Sequence, residues 1–117
     1  MRFIKLLVTL FLFFAGTAVA QNKQLISGPW AGNVELRNAS IWAEVSSSVK
    51  SVAIKFSPTN NTGASKTITH KGSLGNDFNP VKIELNWLEP NTTYQYSIII
   101  DGKVVATPFV TKFTTKD

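Results

Sequence analysis

The nine residues Leu88-Glu89-Pro90-Asn91-Thr92-Thr93-Tyr94-Gln95-Tyr96 constrain the fold of this chain more than any other stretch. They read as a tight corner that feeds a strand. Pro90 fixes φ in the connection, and Asn91 suits a turn. Leu88 is placed to fill the core beneath the corner. Beyond it, Tyr94, Tyr96, Ile98 and Ile100 alternate with Gln95, Ser97 and Ile99, the pattern of a strand with one buried face. A tyrosine at the start of such a strand can turn its hydroxyl back onto backbone a few residues upstream. This is the tyrosine corner of β-sandwiches. Leu88, Pro90 and Tyr94 are therefore assigned a structural role.

The same alternation recurs along the chain, and no window carries a helical stripe. Ala39, Ile41, Ala43 and Val45 alternate with Ser40, Trp42 and Glu44. Val52, Ile54 and Phe56 alternate with Ala53 and Lys55, and Val81, Ile83 and Leu85 with Lys82 and Glu84. Turn-forming runs separate these strands at Ser46-Ser47-Ser48, from Ser57 to Gly63, and from Leu74 to Pro80. Asp101-Gly102 predicts a two-residue hairpin turn from Ile100 to Lys103, because both central positions need positive φ. A last strand is expected from Phe109 to Thr114, offset by Pro108. The polar residues Gln21 to Gln24 are expected to be loose. The sum is an all-β fold: an antiparallel, immunoglobulin-like sandwich of about seven strands over residues 21–117, in one domain.

Residues 1–20 read differently. Arg2 and Lys5 precede an apolar run from Leu6 to Phe14, and Ala18-Val19-Ala20 is a small-residue cleavage site. This is the pattern of a signal peptide cut after Ala20, with an apolar run too short to span a bilayer. The expectation is a secreted or periplasmic protein with no stable membrane insertion after cleavage. The chain has no cysteine, so no disulfide supports it and no thiolate is available for catalysis or metal binding. It carries 12 basic and 7 acidic residues. With Arg2 and Lys5 set aside, ten basic residues face the same seven acidic ones. Seven of the nine remaining lysines (Lys50, Lys55, Lys66, Lys71, Lys82, Lys103, Lys112) are scattered, mostly at alternate strand positions. They read as a solvated face and edge protection, and no nucleic-acid partner is expected.

Catalytic constellations are missing from the sequence. His70 is the only histidine, and Asp77, Asp101 and Asp117 are the only aspartates. A two-metal hydrolytic centre needs several carboxylates and imidazoles converging on its ions, so no metal and no cofactor are expected. Ser73, in Gly72-Ser73-Leu74-Gly75, lacks the spacing of a nucleophile elbow. Glu35, Glu44, Glu84 and Glu89 could pair as acid and base in principle, but Glu44 and Glu84 occupy outward strand positions. Sequons at Asn38, Asn60 and Asn91 read as coincidences of an Asn/Ser/Thr-rich β protein.

The three tryptophans are more informative. Trp87 precedes the corner and is expected to pack at the end of the core. Trp42 falls opposite Ala39, Ile41, Ala43 and Val45, so if those point inward it points out. An outward indole is an interface anchor, a carbohydrate platform, or a ring partly covered by a lysine stem. Trp30 and Trp42 are the candidate interface residues.

Three segments together carry a family resemblance: Ser27-Gly28-Pro29-Trp30-Ala31-Gly32, Ala39-Ser40-Ile41-Trp42, and the corner from Leu88 to Tyr96. They resemble the N-terminal domain of PhoD-like alkaline phosphatases, a fibronectin-type-III-like sandwich. The resemblance covers about Ile26 to Thr115. In that family a catalytic metallophosphoesterase domain follows the sandwich and holds the metal ligands and nucleophile. None of those positions has a match in this chain. The resemblance therefore implies a non-catalytic accessory domain that packs against a phosphatase domain through Trp30 and Trp42, rather than an enzyme. The alternative is a free-standing secreted module that binds a protein or a glycan.

Overall fold

The computed structural model describes residues 23–117, so the expected signal peptide lies outside the described residues. The described part is all β. Its strands are β1 (Leu25–Gly32), β2 (Ala39–Val45), β3 (Val52–Pro58), β4 (Lys66–Thr69), β5 (Asn79–Leu85), β6 (Thr93–Ile100), β7 (Lys103–Val105) and β8 (Lys112–Thr114). They form two sheets of order β1-β2-β5 and β4-β3-β6-β7, with β8 also on β6, and every pairing is antiparallel. β7 pairs Ile98–Ile100 and β8 pairs Thr93–Gln95 on β6, so eight strands fill seven strand positions.

The alternating residues build the core. Ala39, Ile41, Ala43 and Val45 of β2 and Val81, Ile83 and Leu85 of β5 are buried from one side. Val52, Ile54 and Phe56 of β3 and Tyr94, Tyr96, Ile98 and Ile100 of β6 are buried from the other. Each large side chain taken out of water contributes roughly 1.5–3 kcal/mol, which replaces what a disulfide would add. The Tyr96 hydroxyl reaches across to the Ala31 backbone and links the two sheets. Burial raises its pKa, and the bond to Ala31 partly offsets that rise.

Both ends of the sandwich are tied by side-chain to backbone hydrogen bonds. At one end, Asp101 (φ 49°) and Gly102 (φ 82°) make the hairpin turn. Asp101 Oδ1 accepts the Lys50 and Ser51 N–H groups at 2.9 Å each, and Oδ2 accepts Gln24 Nε2 at 3.1 Å. The Gln24 carbonyl in turn accepts the Ser46 N–H. The expectation of a loose start thus fails at Gln24, because the hairpin carboxylate and the β2–β3 turn both use it.

The corner occupies the other end. The Tyr94 hydroxyl accepts the Glu89 N–H at 2.8 Å, five residues upstream. Leu88 is fully buried beneath it, and Pro90 is partly buried. Thr115 completes the knot from the end of β8. Its buried hydroxyl accepts the Thr92 N–H at 3.0 Å and donates to the Glu89 carbonyl at 2.6 Å.

Two strand-level expectations need correction. The last strand begins at Lys112 rather than Phe109, and Phe109 and Val110 are exposed in the connection from β7. Trp87 does not pack at the end of the core. It is 86% exposed with φ 61°, because the adjacent Leu88 takes the inward position.

Candidate functional site

The outer face of the three-stranded sheet is built around the Ser27-Gly28-Pro29-Trp30 segment of β1. Register shifts between Leu25 and Ser27 and between Ser27 and Trp30 mark bulges in this edge strand. The Gly28–Pro29 bond is cis, and Pro29 is fully buried. Gly28 has φ 82°, and a Cβ there would lie 2.7 Å from the Trp42 carbonyl oxygen and 2.8 Å from the Trp30 ring. Only a residue without a side chain lets the Trp30 ring fold this close to the strand. The bulges re-aim the strand so that Trp30 pairs directly with Trp42 of β2.

Trp42 is half-buried and sits in the middle of this face. Its indole lies against Gly32, where a Cβ would come within 3.2 Å of Nε1. On its other flank Lys82 of β5 is the register partner, with Nζ 5.1 Å from the ring centroid. That geometry is a cation–π contact. Two residues further along, Gly32, Ser40 and Glu84 line up across the sheet. Lys82 Nζ lies 3.1 Å from Glu84 Oε1, and Ser40 Oγ donates to the same oxygen at 2.9 Å. The Lys82 bond holds the Glu84 carboxyl below its ordinary pKa, partial desolvation opposes the shift, and Ser40 adds to it. Lys82 is thereby held between a carboxylate and an indole. Trp42 is rigid and partly covered, whereas Trp30 is 49% exposed beside it.

These two indoles are the candidate interface residues, and the structure brings them side by side. Alternation already puts Ser40 on the same side of β2 as Trp42, but the convergence of Lys82 and Glu84 on them depends on the β2–β5 register. The corner residues Leu88, Pro90 and Tyr94 lie outside this face and serve the end of the sandwich. Among the described residues no group of three His, Cys, Asp or Glu side chains could hold a metal ion. His70 follows β4, with its N–H on the Val52 carbonyl and its ring against Gly72. The carboxylates Glu35 and Glu89 lie near the corner, Asp77 in the turn before β5, and Glu44 and Glu84 on the indole face.

A model of the family described as "Domain of unknown function (DUF7800)" matches residues 22–117. No curated protein matches the chain. The sensor domain of the anti-sigma factor RsgI4 of Pseudobacteroides cellulosolvens superposes with a TM-score of 0.58 at 17% identity, covering 74% of this chain and 83% of that one. A computationally redesigned β-sandwich protein gives 0.57 at 23% identity, covering 77% and 92%. The fibronectin type III domain of human contactin 1 gives 0.51 at 18% identity, covering 87% and 89%. At these identities the likeness establishes the fold, a fibronectin-type-III-like sandwich.

Proposed function

The chain belongs to the DUF7800 family, and we propose that it is a non-catalytic binding module whose outer β1-β2-β5 face docks on a protein partner. The observation that carries this reading is the Trp30–Trp42 pair. Two indoles meet directly across two strands, on the outer side of a sheet whose inner side is already filled by the core. Aromatic side chains of this size, held rigid before contact, dominate interface energetics at little entropic cost. The bulged edge strand and the clamped Lys82 keep them in place.

The partner we propose is the metallophosphoesterase domain of a PhoD-like phosphatase. The support is the resemblance carried by Ser27-Gly28-Pro29-Trp30 and by the corner. In this chain the first of those segments builds the indole face and the second closes the end of the sandwich. The leader-like pattern of residues 1–20 supports an extracytoplasmic location, where the signal would be removed. The test is calorimetric titration of the purified chain into such a phosphatase domain. Trp30→Ala is expected to weaken binding at least tenfold, or about 1.4 kcal/mol. No binding, or binding indifferent to both Trp30→Ala and Trp42→Ala, contradicts the proposal.

A further inference from the structure

Opposite the indole face, the outer surface of the larger sheet carries a cleft of about 460 Å³. It arises where the strand position beside β6 is broken between β7 and β8. Thr111 alone bridges the break. Its carbonyl accepts the Tyr96 N–H at 3.0 Å, and its hydroxyl donates to the Tyr96 carbonyl at 2.6 Å. The outward positions Gln95 and Ser97 line the cleft, with the buried Ser57 beneath them. Lys55 is the register partner of Ser97 on one side of β6, and Lys112 is the partner of Gln95 on the other. Strand spacing and rise put their Cα atoms about 12 Å apart on a diagonal across β6. Thr62 and Ser65 also line the cleft, from the β3–β4 connection, together with the exposed Val104 of β7.

Charge separates the two sheets. The strands of the larger sheet contain four lysines (Lys55, Lys66, Lys103, Lys112) and no carboxylate, whereas β2 and β5 carry Glu44 and Glu84 beside Lys82. The ion pairs among the described residues are Lys82–Glu84 and Lys116–Glu35, so Lys55 and Lys112 are in neither. A cleft lined by hydroxyls and an amide between two free ammonium groups attracts an anion that also bears hydroxyls.

We infer that this cleft binds an acidic saccharide. Lys55 and Lys112 meet its carboxylates or sulfates, and the partly exposed Gln95 and Ser97 meet its hydroxyls. Other polyanions fit less well. A single-stranded nucleic acid needs exposed aromatic rings for base stacking, and the cleft's two rings, Phe56 and Tyr96, are buried. An acidic peptide gains most from adding a strand to a free edge, and this cleft lies on the face of a sheet. No arginine lines it to take a phosphate in bidentate fashion.

The experiment is titration of the purified chain, at low salt, with hexagalacturonate and with a heparin hexasaccharide. Maltohexaose, polyglutamate and a thymidine oligonucleotide serve as comparators. Binding of at least one acidic saccharide, weakened by salt and absent for the comparators, is expected. Lys55→Gln and Lys112→Gln should each weaken it at least fivefold, with unchanged thermal melts since both side chains are exposed. Trp30→Ala should leave it unchanged, which separates this site from the indole face. No binding of either acidic saccharide overturns the inference, as does a comparator binding as tightly or retention of affinity in the double lysine variant.

Discussion

Replacing Tyr94 with phenylalanine isolates the contribution of one oxygen atom to the whole fold. Tyr94 is 4% exposed, its ring stacked on Phe113 at 5.6 Å and tilted against Phe56 at 6.3 Å. Phenylalanine keeps those ring contacts and removes only the acceptor of the Glu89 N–H at 2.8 Å. Leaving that part-buried donor without its partner costs roughly 1–2 kcal/mol. For a domain of this size the midpoint of thermal unfolding falls by roughly 5–15 °C. Glu89 is held at both of its backbone groups, since Thr115 takes its carbonyl at 2.6 Å. Thr115→Val therefore removes a second tie on the same residue, and the two substitutions should couple by at least about 0.5 kcal/mol in a double-mutant cycle. Urea melts of the purified chain and the three variants measure this, read at constant m-value. A Tyr94→Phe unfolding free energy within about 0.3 kcal/mol of the parent, or full additivity with Thr115→Val, would refute the claim that the corner is a cooperative knot.

Gly28→Ala should destabilise by roughly 1–3 kcal/mol and shift tryptophan emission, because a Cβ at φ 82° collides with the Trp42 carbonyl and the Trp30 ring. An unchanged melt would mean that the β1 bulge tolerates a side chain. Trp87→Asn should stabilise by about 1 kcal/mol, since asparagine accepts φ near 61° and the indole buries little. A loss of stability would show that Trp87 makes a contact worth more than its backbone strain. The Asp101 carboxyl is held below its ordinary pKa, chiefly by the Lys50 N–H. Its stabilising contribution is therefore complete above about pH 4 and is lost as pH falls through its lowered folded-state value. Asp101→Asn should flatten the acid limb of a plot of urea midpoint against pH, and an unaltered limb would contradict the assignment.

The strands that alternation reveals are those with one face in the core. β2, β3, β5 and β6 read directly, because a slip of one residue would exchange buried Ile41, Ile54, Ile83 or Ile98 for a polar neighbour. β4 has three of its four residues exposed, so its sequence shows no period. In β1 the bulges around Gly28-Pro29 break the period. The β-prone residues Phe109 and Val110 suggest strand, yet Pro108 and the bridging Thr111 hold them off β6 and in solvent. Trp87 is as apolar as any core residue, but only one of Trp87 and Leu88 can turn inward at the corner. On the candidate face, the outward direction of Trp42 follows from its neighbours in β2. The seating of Lys82 over its ring, and of Trp30 beside it, depends on registers between segments distant in sequence. The segregation of lysines onto the larger sheet is visible in the strand sequences. Their convergence on one cleft requires the β3–β6–β8 register.

The three tryptophans provide the most direct test of the docking claim, because each indole gives its own Nε1–H resonance in a ¹⁵N-labelled sample. Trp30 and Trp42 report on the middle of the proposed face, and Trp87 on the corner just past the end of β5. Adding an unlabelled metallophosphoesterase domain from a PhoD-like phosphatase should shift or broaden the Trp30 and Trp42 resonances and leave Trp87 in place. Perturbation of Trp87 alone, or of no indole at saturating partner, would contradict the account.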